Sequence, residues 1–272
     1  MTSPARSTRK PGHLIGTALL EDLVQTVAVS HLITGHDRIG LLLLAAPESG
    51  KTTIATAAES PHVKRIVAIT ARSIMQLCEE KETEFLLFND LAVVRALGKS
   101  TVALLINTLN QITQGESGEA RFAGQHVYKL ERQIGMIGCM PFAVFRDRRA
   151  HWRDMGFVSR MLPFSYSYDT ELIVRIKDGV DAGTKFQPKR MPPKLPASRT
   201  VRMSPAAIRT VRALADAKAT VLDQIGIRLL KHYHALVRAH AIRHGRSSVT
   251  ATDLDFLRAV DRYISITECR PL

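Results

Sequence analysis

An unbroken apolar run that ends in a short loop carrying Gly-Lys-Thr constrains this chain more than any other feature. Residues 39–46 contain no polar or charged side chain, which is typical of a strand buried on both faces of a parallel sheet. Residues 45–52 read AAPESGKT, and residues 52–59 favour a helix. A strand, a glycine-bearing loop and a helix in this order predict a phosphate-binding loop, or P-loop.

The chemistry of such a loop accounts for its residue types. Its backbone N–H groups converge on phosphate oxygens, and the next helix directs the positive end of its dipole at them. Lys51 would reach the β- and γ-phosphates of a nucleotide, the Thr52 hydroxyl would bind Mg²⁺, and Gly50 leaves room for the phosphates. Ala45 replaces the first glycine of the usual pattern. We therefore expect ATP and Mg²⁺ as ligands. The predicted nucleotide-binding residues are Ala46, Pro47, Glu48, Ser49, Gly50, Lys51, Thr52 and Thr53.

A second apolar run ends in an acidic residue, as a P-loop site requires. Residues 85–88 (FLLF) precede Asn89 and Asp90. An acid at the end of a neighbouring strand holds the water shell of Mg²⁺, so Thr52 and Asp90 are the predicted metal-side residues. The usual form in this fold is Asp-Glu, in which the Glu polarises the attacking water.

Two registers stay open for this pair. In the first, Asp90 is the metal-side acid and Leu91 stands in the place of the base. In the second, Asn89 replaces the acid and Asp90 stands in for the base. Both registers depart from the usual pair, and slow or partner-dependent hydrolysis is therefore one expectation.

Strand and helix patterns alternate along the first two thirds of the chain. Apolar runs and helical spacing give the following predictions. Strands are expected at 65–70, 85–88, 134–140 and 162–168, helices at 14–32 and 101–114, and a polar loop at 115–124. Strands that alternate with helices predict the α/β fold class, with a parallel sheet flanked by helices.

A stretch rich in Pro, Gly and Lys marks the clearest boundary in the chain. Residues 178–200 are predicted to be a linker. Beyond it, Ser204 and Pro205 predict the start of a helix, and long helical patterns follow. The expected organisation is a disordered basic arm (1–12), an α/β nucleotide-binding domain (13–177), the linker (178–200) and a small helical domain (201–272).

Charge and cysteine content limit the partners and the compartment. The chain has 38 Lys and Arg against 25 Asp and Glu, a net charge of +13, and residues 1–90 contribute none of the excess. A basic surface of this size favours a polyanion partner, most often nucleic acid. No apolar stretch predicts a membrane span or a signal peptide. Three well-separated cysteines are expected to be reduced, which indicates a cytoplasmic protein.

With the two motifs in this order, the chain resembles the AAA+ ATPases, and within them the minichromosome-maintenance helicase group. Residues 134–141 (IGMIGCMP) look like the family's sensor-1 strand, with Cys139 or Met140 in the place of the usual Asn or Thr. Residues 156–162 (GFVSRML) look like the segment that carries the arginine finger. The resemblance implies that Arg160 reaches the ATP of the next subunit, where its forked donors suit a phosphoryl group.

The resemblance extends to the C-terminal helices. Residues 225–260 look like the family's helical lid, and the helix start at 249–253 (VTATD) is characteristic of it. Arg228 is the candidate sensor-2 arginine, which contacts the γ-phosphate from the lid, and Lys231 is the alternative. The implied fold is an AAA+ α/β domain followed by a small all-helical lid. The implied catalytic residues are Asp90, Arg160, Asn89 and Arg228.

The resemblance implies an oligomeric ATPase that acts on DNA, with ATP bound between the subunits of a ring or a helical filament. A replication, transposition or mobile-element accessory factor would fit this description. Two alternatives stay open. One is a protein-remodelling or assembly ATPase whose basic surface meets an acidic protein partner, and the other is a nucleotide-switch scaffold with little hydrolysis.

Overall fold

Strands and helices alternate along the chain in a computed structural model that describes residues 12–13, 16–66, 70–115, 118–121, 127–130, 132–192 and 197–272. The strands are β1 (Gly12–His13), β2 (Gly40–Ala45), β3 (Val63–Ile66), β4 (Phe85–Phe88), β5 (Gly118–Arg121), β6 (Val127–Leu130), β7 (Gly135–Pro141), β8 (Leu162–Ser167), β9 (Phe186–Gln187) and β10 (Arg270–Pro271). The helices are α1 (Ala18–Ala28), α2 (Lys51–Ala55), α3 (Ala71–Glu79), α4 (Lys99–Gln114), α5 (Phe142–Asp154), α6 (Thr170–Asp181), α7 (Pro205–Leu222), α8 (Ile227–Arg243) and α9 (Ala251–Asp261).

A parallel sheet forms the centre of the described structure. Its six strands run in the order β10-β8-β2-β7-β4-β3. Every side chain of β2 and β4 is buried, and so is nearly all of β7, because helices cover both faces of a sheet built this way. Leu41 in β2 pairs with Ile137 on one side and Leu162 on the other. The predicted α/β class, with helices around a parallel sheet, is confirmed.

Helices α7, α8 and α9 pack on one another, and α8 also packs on α1. The Ser204 hydroxyl accepts the N–H of Ala207 at 3.1 Å and so caps α7. At α9, Thr250 and Asp253 form a capping box, in which the Asp253 carboxylate accepts the N–H of Thr250 at 2.8 Å. Both predicted helix starts are confirmed.

The predicted loop at 115–124 is wrong in part. Residues 118–121 form β5, which pairs antiparallel with β6. The two strands read GEAR and VYKL, which show no clean apolar alternation, so periodicity does not predict the hairpin. The predicted strand at 65–70 begins earlier, at Val63 in β3, and residues 67–69 lie outside the described residues.

Three segments differ from the expected organisation. Helix α6 extends to Asp181, inside the range expected to be linker, since Asp169 caps it and it continues through Gly179. Strand β10 returns from the helical region to pair with the end of β8. Of the expected arm, residues 1–11 lie outside the described residues, and Gly12 belongs to β1. No helix in the described ranges has the length and apolar character needed to cross a bilayer.

Candidate functional site

The loop between β2 and α2 lies at the carboxyl edge of the sheet, as the sequence predicts. Gly50 ends this loop with φ of 71°, a left-handed conformation, and α2 begins at the next residue. A side chain at this position would strain the backbone. The tight entry into α2 therefore explains why glycine precedes Lys51.

Lys51 folds back over the loop. Its Nζ donates hydrogen bonds to the carbonyl oxygens of Ala46 at 2.5 Å and Ala45 at 3.2 Å, and to the Ser49 hydroxyl at 3.1 Å. Burial lowers the pKa of Lys51, and the negative charge of the nearby Asp90 opposes that shift. All three acceptors are uncharged, and an ammonium group gains more from an anionic partner. The loop is thus built around a cation that a phosphate would stabilise.

Two oxygen-bearing residues from the end of β4 meet the start of α2. The Thr52 hydroxyl donates to the carbonyl oxygen of Asn89 at 3.1 Å. The Asn89 Oδ1 atom is buried and has no hydrogen-bond partner among the described residues. The exposed Asp90 carboxylate accepts the N–H of Ala92 at 2.8 Å. The structure therefore brings the predicted metal-side residues to one edge of the sheet.

This donor set fits Mg²⁺ bound together with phosphate. Magnesium keeps several waters and takes one or two protein oxygens plus substrate oxygens. In the described ranges, no group of three or more His, Cys, Asp or Glu is placed to hold a metal ion by itself. Leu91 is buried, and its side chain lies against Gly138 in the core. Leu91 therefore faces away from the loop and contributes nothing to this edge.

The end of β7 reaches the same edge without a polar side chain. Cys139 pairs in register with Leu43, Met140 pairs with Leu44, and both sulfur-bearing side chains are buried. Burial raises the pKa of the Cys139 thiol to about 12, so the thiol stays neutral. A neutral thiol is only a weak hydrogen-bond donor. Among the described residues at the end of β7, Cys139 and Met140 thus offer neither an amide nor a hydroxyl.

Two tyrosines, one in β8 and one just after it, hydrogen-bond to the loop, and no sequence pattern predicts them. The hydroxyls of Tyr166 and Tyr168 donate to the Ser49 carbonyl oxygen at 3.1 and 2.7 Å. Because the peptide bond is planar and trans, fixing this carbonyl also fixes the direction of the Gly50 N–H, which points the opposite way. No local pattern signals this contact, since the tyrosines lie more than 100 positions along the chain.

A cluster of basic side chains lies just before β8. The Arg160 Nη1 donates to the Gly156 carbonyl oxygen at 2.6 Å, and Nη2 contacts Gln114. Arg228, near the start of α8, donates to the Ser159 hydroxyl at 2.8 Å. We call Arg160, Arg228 and the neighbouring Lys231 the arginine cluster.

A cavity of about 200 Å³ lies at the arginine cluster. Lys231 forms an ion pair with Asp37 at 3.0 Å. The residues that line the cavity are Asp37, Thr113, Gln114, Gln133, Arg160, Arg228, Lys231 and His232. Three of these are cations and one is an anion, so the cavity has a positive lining.

The arginine cluster and the loop occupy opposite edges of the sheet. Strand β8 begins at Leu162, which pairs with Leu41 near the start of β2, whereas the loop follows the end of β2. At about 3.3 Å per residue, β2 separates the two edges by roughly 17 Å. The structure does not bring Arg160, Arg228 or Lys231 to the loop of its own chain. Arg228 therefore lies too far from the loop to contact a nucleotide bound there in its own subunit, as a lid arginine is expected to do.

In comparisons with known proteins, no family model matches the chain, and no curated protein matches its sequence. The geometry of the two edges is therefore the basis for assigning a function.

Proposed function

We propose that this chain is an ATP-binding protein of the AAA+ type that assembles head to tail and acts on DNA. The observation that carries the proposal is the division of the phosphate-binding features between two edges of one sheet. Lys51, Thr52 and the Asn89-Asp90 pair lie at the carboxyl edge. Arg160 and Arg228 lie at the amino edge. One chain thus carries two halves of a site that it does not combine by itself.

At the carboxyl edge, each residue has a defined role in the proposed site. Lys51 would exchange its carbonyl acceptors for the β- and γ-phosphate oxygens. The Thr52 hydroxyl would turn from the Asn89 carbonyl to Mg²⁺. The Gly50 N–H would donate to phosphate from the direction fixed by Tyr166 and Tyr168. When bound, ATP supplies the phosphoryl group that this edge orients.

The strand order supports the AAA+ type. Strand β7, which the resemblance identifies as the sensor-1 strand, lies between the P-loop strand β2 and the acid-bearing strand β4. The Thr52 hydroxyl meets only the main chain of Asn89, but the buried Asn89 Oδ1 has no hydrogen-bond partner among the described residues. This unpartnered oxygen supports the second register, in which Asn89 takes the place of the metal-side acid. Asp90 is then the residue available to orient water. With an amide in place of that acid and a neutral thiol at Cys139, slow hydrolysis is the expected behaviour.

The amino edge supports assembly. An arginine finger acts by placing a fixed charge and forked donors on a transferring phosphoryl group. Among the described residues, Arg160 lies at the sheet edge opposite the β2–α2 loop of its own chain, and a second copy would supply that loop. Such a contact is heterologous, because two different surfaces meet, and it closes into a ring or opens into a filament.

The charge distribution supports DNA as the partner. The chain carries a net charge of +13. On α5, Arg146 is exposed and Arg148 is half-buried, and neither forms a salt bridge within the described part of the chain. Unpaired cations on one helix suit a phosphate backbone, which releases counterions when it is neutralised. This support is electrostatic and gives no sequence specificity.

A steady-state hydrolysis assay with and without DNA, joined to a direct ATP-binding measurement, tests the proposal. We expect ATP binding and a low basal rate that DNA raises. Binding without stimulation by DNA would favour an ATPase that remodels or assembles proteins. Binding with no turnover under either condition would favour a nucleotide-switch scaffold. Absence of ATP binding would overturn the proposal.

A further inference from the structure

The turn between α7 and α8 exposes large apolar side chains to an unusual degree. Ile225 is 92% exposed, Ile227 is 65% exposed and Val221 is 67% exposed. Burial of apolar side chains is favourable in water, and a cluster of exposed ones marks an interaction surface. A depression of about 840 Å³ lies beside them. We call these three residues the apolar turn.

The apolar turn is continuous with the arginine cluster. Arg228 directly follows Ile227 and donates to the Ser159 hydroxyl at 2.8 Å. Asp223, in the same turn, forms an ion pair with Arg153 at 3.2 Å. The apolar turn therefore belongs to the face that presents Arg160, and whatever meets the arginine cluster meets the turn as well.

Helix α6 carries the second exposed apolar surface in the described part of the chain. It has 12 residues, and Leu172 is its one buried side chain. Ile173, Val174 and Val180 are exposed, Val174 by 50%. The exposed charged side chains of the helix are three acids, Glu171, Asp178 and Asp181, and two bases, Arg175 and Lys177. By spacing, Val174 shares one helix face with Lys177, Asp178 and Asp181.

Helix α6 begins beside the P-loop. Asp169 caps it two residues after β8 ends, and Tyr168, the residue between them, holds the Ser49 carbonyl at 2.7 Å. Helix α6 thus lies beside the P-loop half of the proposed site, and the apolar turn lies beside the arginine half. A neighbour that places its arginine cluster at this P-loop would bring its apolar turn to the same side of the molecule.

We propose that the apolar turn of one copy docks on helix α6 of the next copy. The direction of this contact rests on the proposed function, in which Arg160 reaches the neighbour's nucleotide. The occupant is a second copy of the chain because the two surfaces complement each other in two respects. Each is apolar at its centre, and the charges around the two centres can pair: Asp178 and Asp181 of α6 outnumber Lys177 on the same face, whereas Arg153 and Arg228 outnumber Asp223 beside the turn.

Asymmetric cross-linking tests the docking. The Val174→Cys and Ile225→Cys variants are purified separately, mixed without nucleotide at high protein concentration, and oxidised mildly. We expect a disulfide-linked dimer in the mixture and none in either variant alone. The unaltered chain, in which Cys78 and Cys139 are buried and Cys269 is partly buried, controls for native thiols.

Other cross-linking outcomes overturn the docking. A disulfide between two copies of the Ile225→Cys variant would mean that the two turns contact each other. A disulfide between two copies of the Val174→Cys variant would mean that the two α6 helices contact each other. No linkage in the mixture would mean that the two surfaces do not meet. Both altered residues are exposed, so neither change removes core packing.

Sedimentation equilibrium provides an independent measurement. The double variant Ile225→Asp/Ile227→Asp should associate at least about tenfold more weakly than the unaltered chain. Ile208→Asp, at a partly exposed position near the start of α7, is the matched control and should associate normally. Equal association in both variants would overturn the docking.

The two proposals fail in different ways. Cross-linking of the mixture without any ATP binding would leave the docking in place and overturn the proposed function. ATP binding, together with normal assembly of the Ile225→Asp/Ile227→Asp variant, would keep the function and overturn the docking.

Discussion

The imidazole of His232 donates a hydrogen bond from Nε2 to the carbonyl oxygen of Arg160 over 3.0 Å. His232 is buried on α8, and its contact fixes the backbone of Arg160 just before β8. Burial lowers the pKa of His232 to about 4. The ring is therefore neutral at physiological pH, with its proton on Nε2. One neutral histidine thus connects the helical region to the residue proposed to act on the neighbour.

This buried histidine predicts how stability depends on pH. The unfolded chain protonates His232 below about pH 6.5, whereas the folded chain resists protonation until about pH 4. The unfolded state binds more protons in this window, so the free energy of unfolding falls as the pH falls. His232→Gln keeps an N–H donor and lacks the titration. Between pH 7.5 and pH 5, the unaltered chain should lose roughly 2 kcal/mol more stability than the variant. Urea unfolding at both pH values measures the difference. If the unaltered chain and the variant lose the same free energy of unfolding, His232 takes up its proton in the folded chain as readily as in the unfolded chain.

Lys51→Ala should weaken ATP binding by at least about tenfold, because it removes the one cation of the P-loop. Isothermal titration with ATP and Mg²⁺ measures the affinity. Lys64→Ala, which removes a half-exposed lysine paired with Glu80, is the matched control and should bind normally. Thermal unfolding shows whether the loop variant remains folded. Unchanged affinity in a folded Lys51→Ala protein would remove the P-loop assignment.

Mutations of Asn89 and Asp90, at the end of β4, distinguish the two registers. Asn89→Asp places a carboxylate beside Thr52, where the buried Oδ1 has no partner among the described residues, and should raise both Mg²⁺ affinity and hydrolysis. Asp90→Asn should abolish Mg²⁺-dependent turnover under either register. Hydrolysis measured over a magnesium titration distinguishes the two effects.

The first register makes a different prediction for this pair. If Asp90 alone serves the metal, Asn89→Asp should leave Mg²⁺ affinity unchanged. Leu91→Glu is not a fair test of a missing base, because Leu91 is buried against Gly138 and a carboxylate there would be desolvated.

The sequence predicts the central strands well, for a physical reason. In β2 and β4, which are buried on both faces, every position must be apolar. Such a run can be recognised from the strand's own residues, without knowing which strand pairs with it. The loop that leads from β2 into α2 and the two capped helix starts at Ser204 and Thr250 are also local, since each depends on neighbours a few positions away.

Long-range contacts leave no such signal. The two residues of β10 read Arg-Pro and become a strand only because the edge of β8 is open to them. The contact between Arg228 and Ser159 depends on how α8 packs, and the sequence of α8 does not reveal that packing. Tyr166 and Tyr168 reach the P-loop through the sheet register, which spacing along the chain does not reveal.

Binding to DNA should weaken steeply with salt. Each neutralised phosphate contributes roughly −0.9 to the slope of log affinity against log salt concentration on duplex. Arg146→Ala/Arg148→Ala should reduce the steepness of that slope by about 1–2, because both cations lack a salt bridge in the described structure. Fluorescence anisotropy over a salt series measures the slope. Arg270→Ala, which removes an arginine paired with Glu268, is the matched control. A flat salt dependence in the unaltered chain would exclude an electrostatic DNA interface.

Arg160→Ala should leave ATP binding intact and lower hydrolysis, because Arg160 lies at the opposite sheet edge from its own P-loop. A finger contributes roughly 10³–10⁵ in rate where hydrolysis is fast, so a smaller loss is expected for a slow enzyme. The change also removes the contacts of Arg160 with Gly156 and Gln114. Gln114→Ala is therefore the control, since it removes the contact between Gln114 and Arg160 and keeps the Arg160 guanidinium. It should retain most of the activity.

Mixing separates a finger that acts on the neighbour from an arginine that only stabilises its own chain. An equimolar blend of Arg160→Ala and Lys51→Ala subunits contains contacts in which an intact P-loop meets an intact Arg160. Hydrolysis in the blend should therefore exceed that of either variant alone. A structural arginine would give no rescue, because every chain in the blend would still carry its own defect. If mixed oligomers form and the blend is no more active than its components, Arg160 stabilises its own fold, and the nucleotide site is complete within one chain.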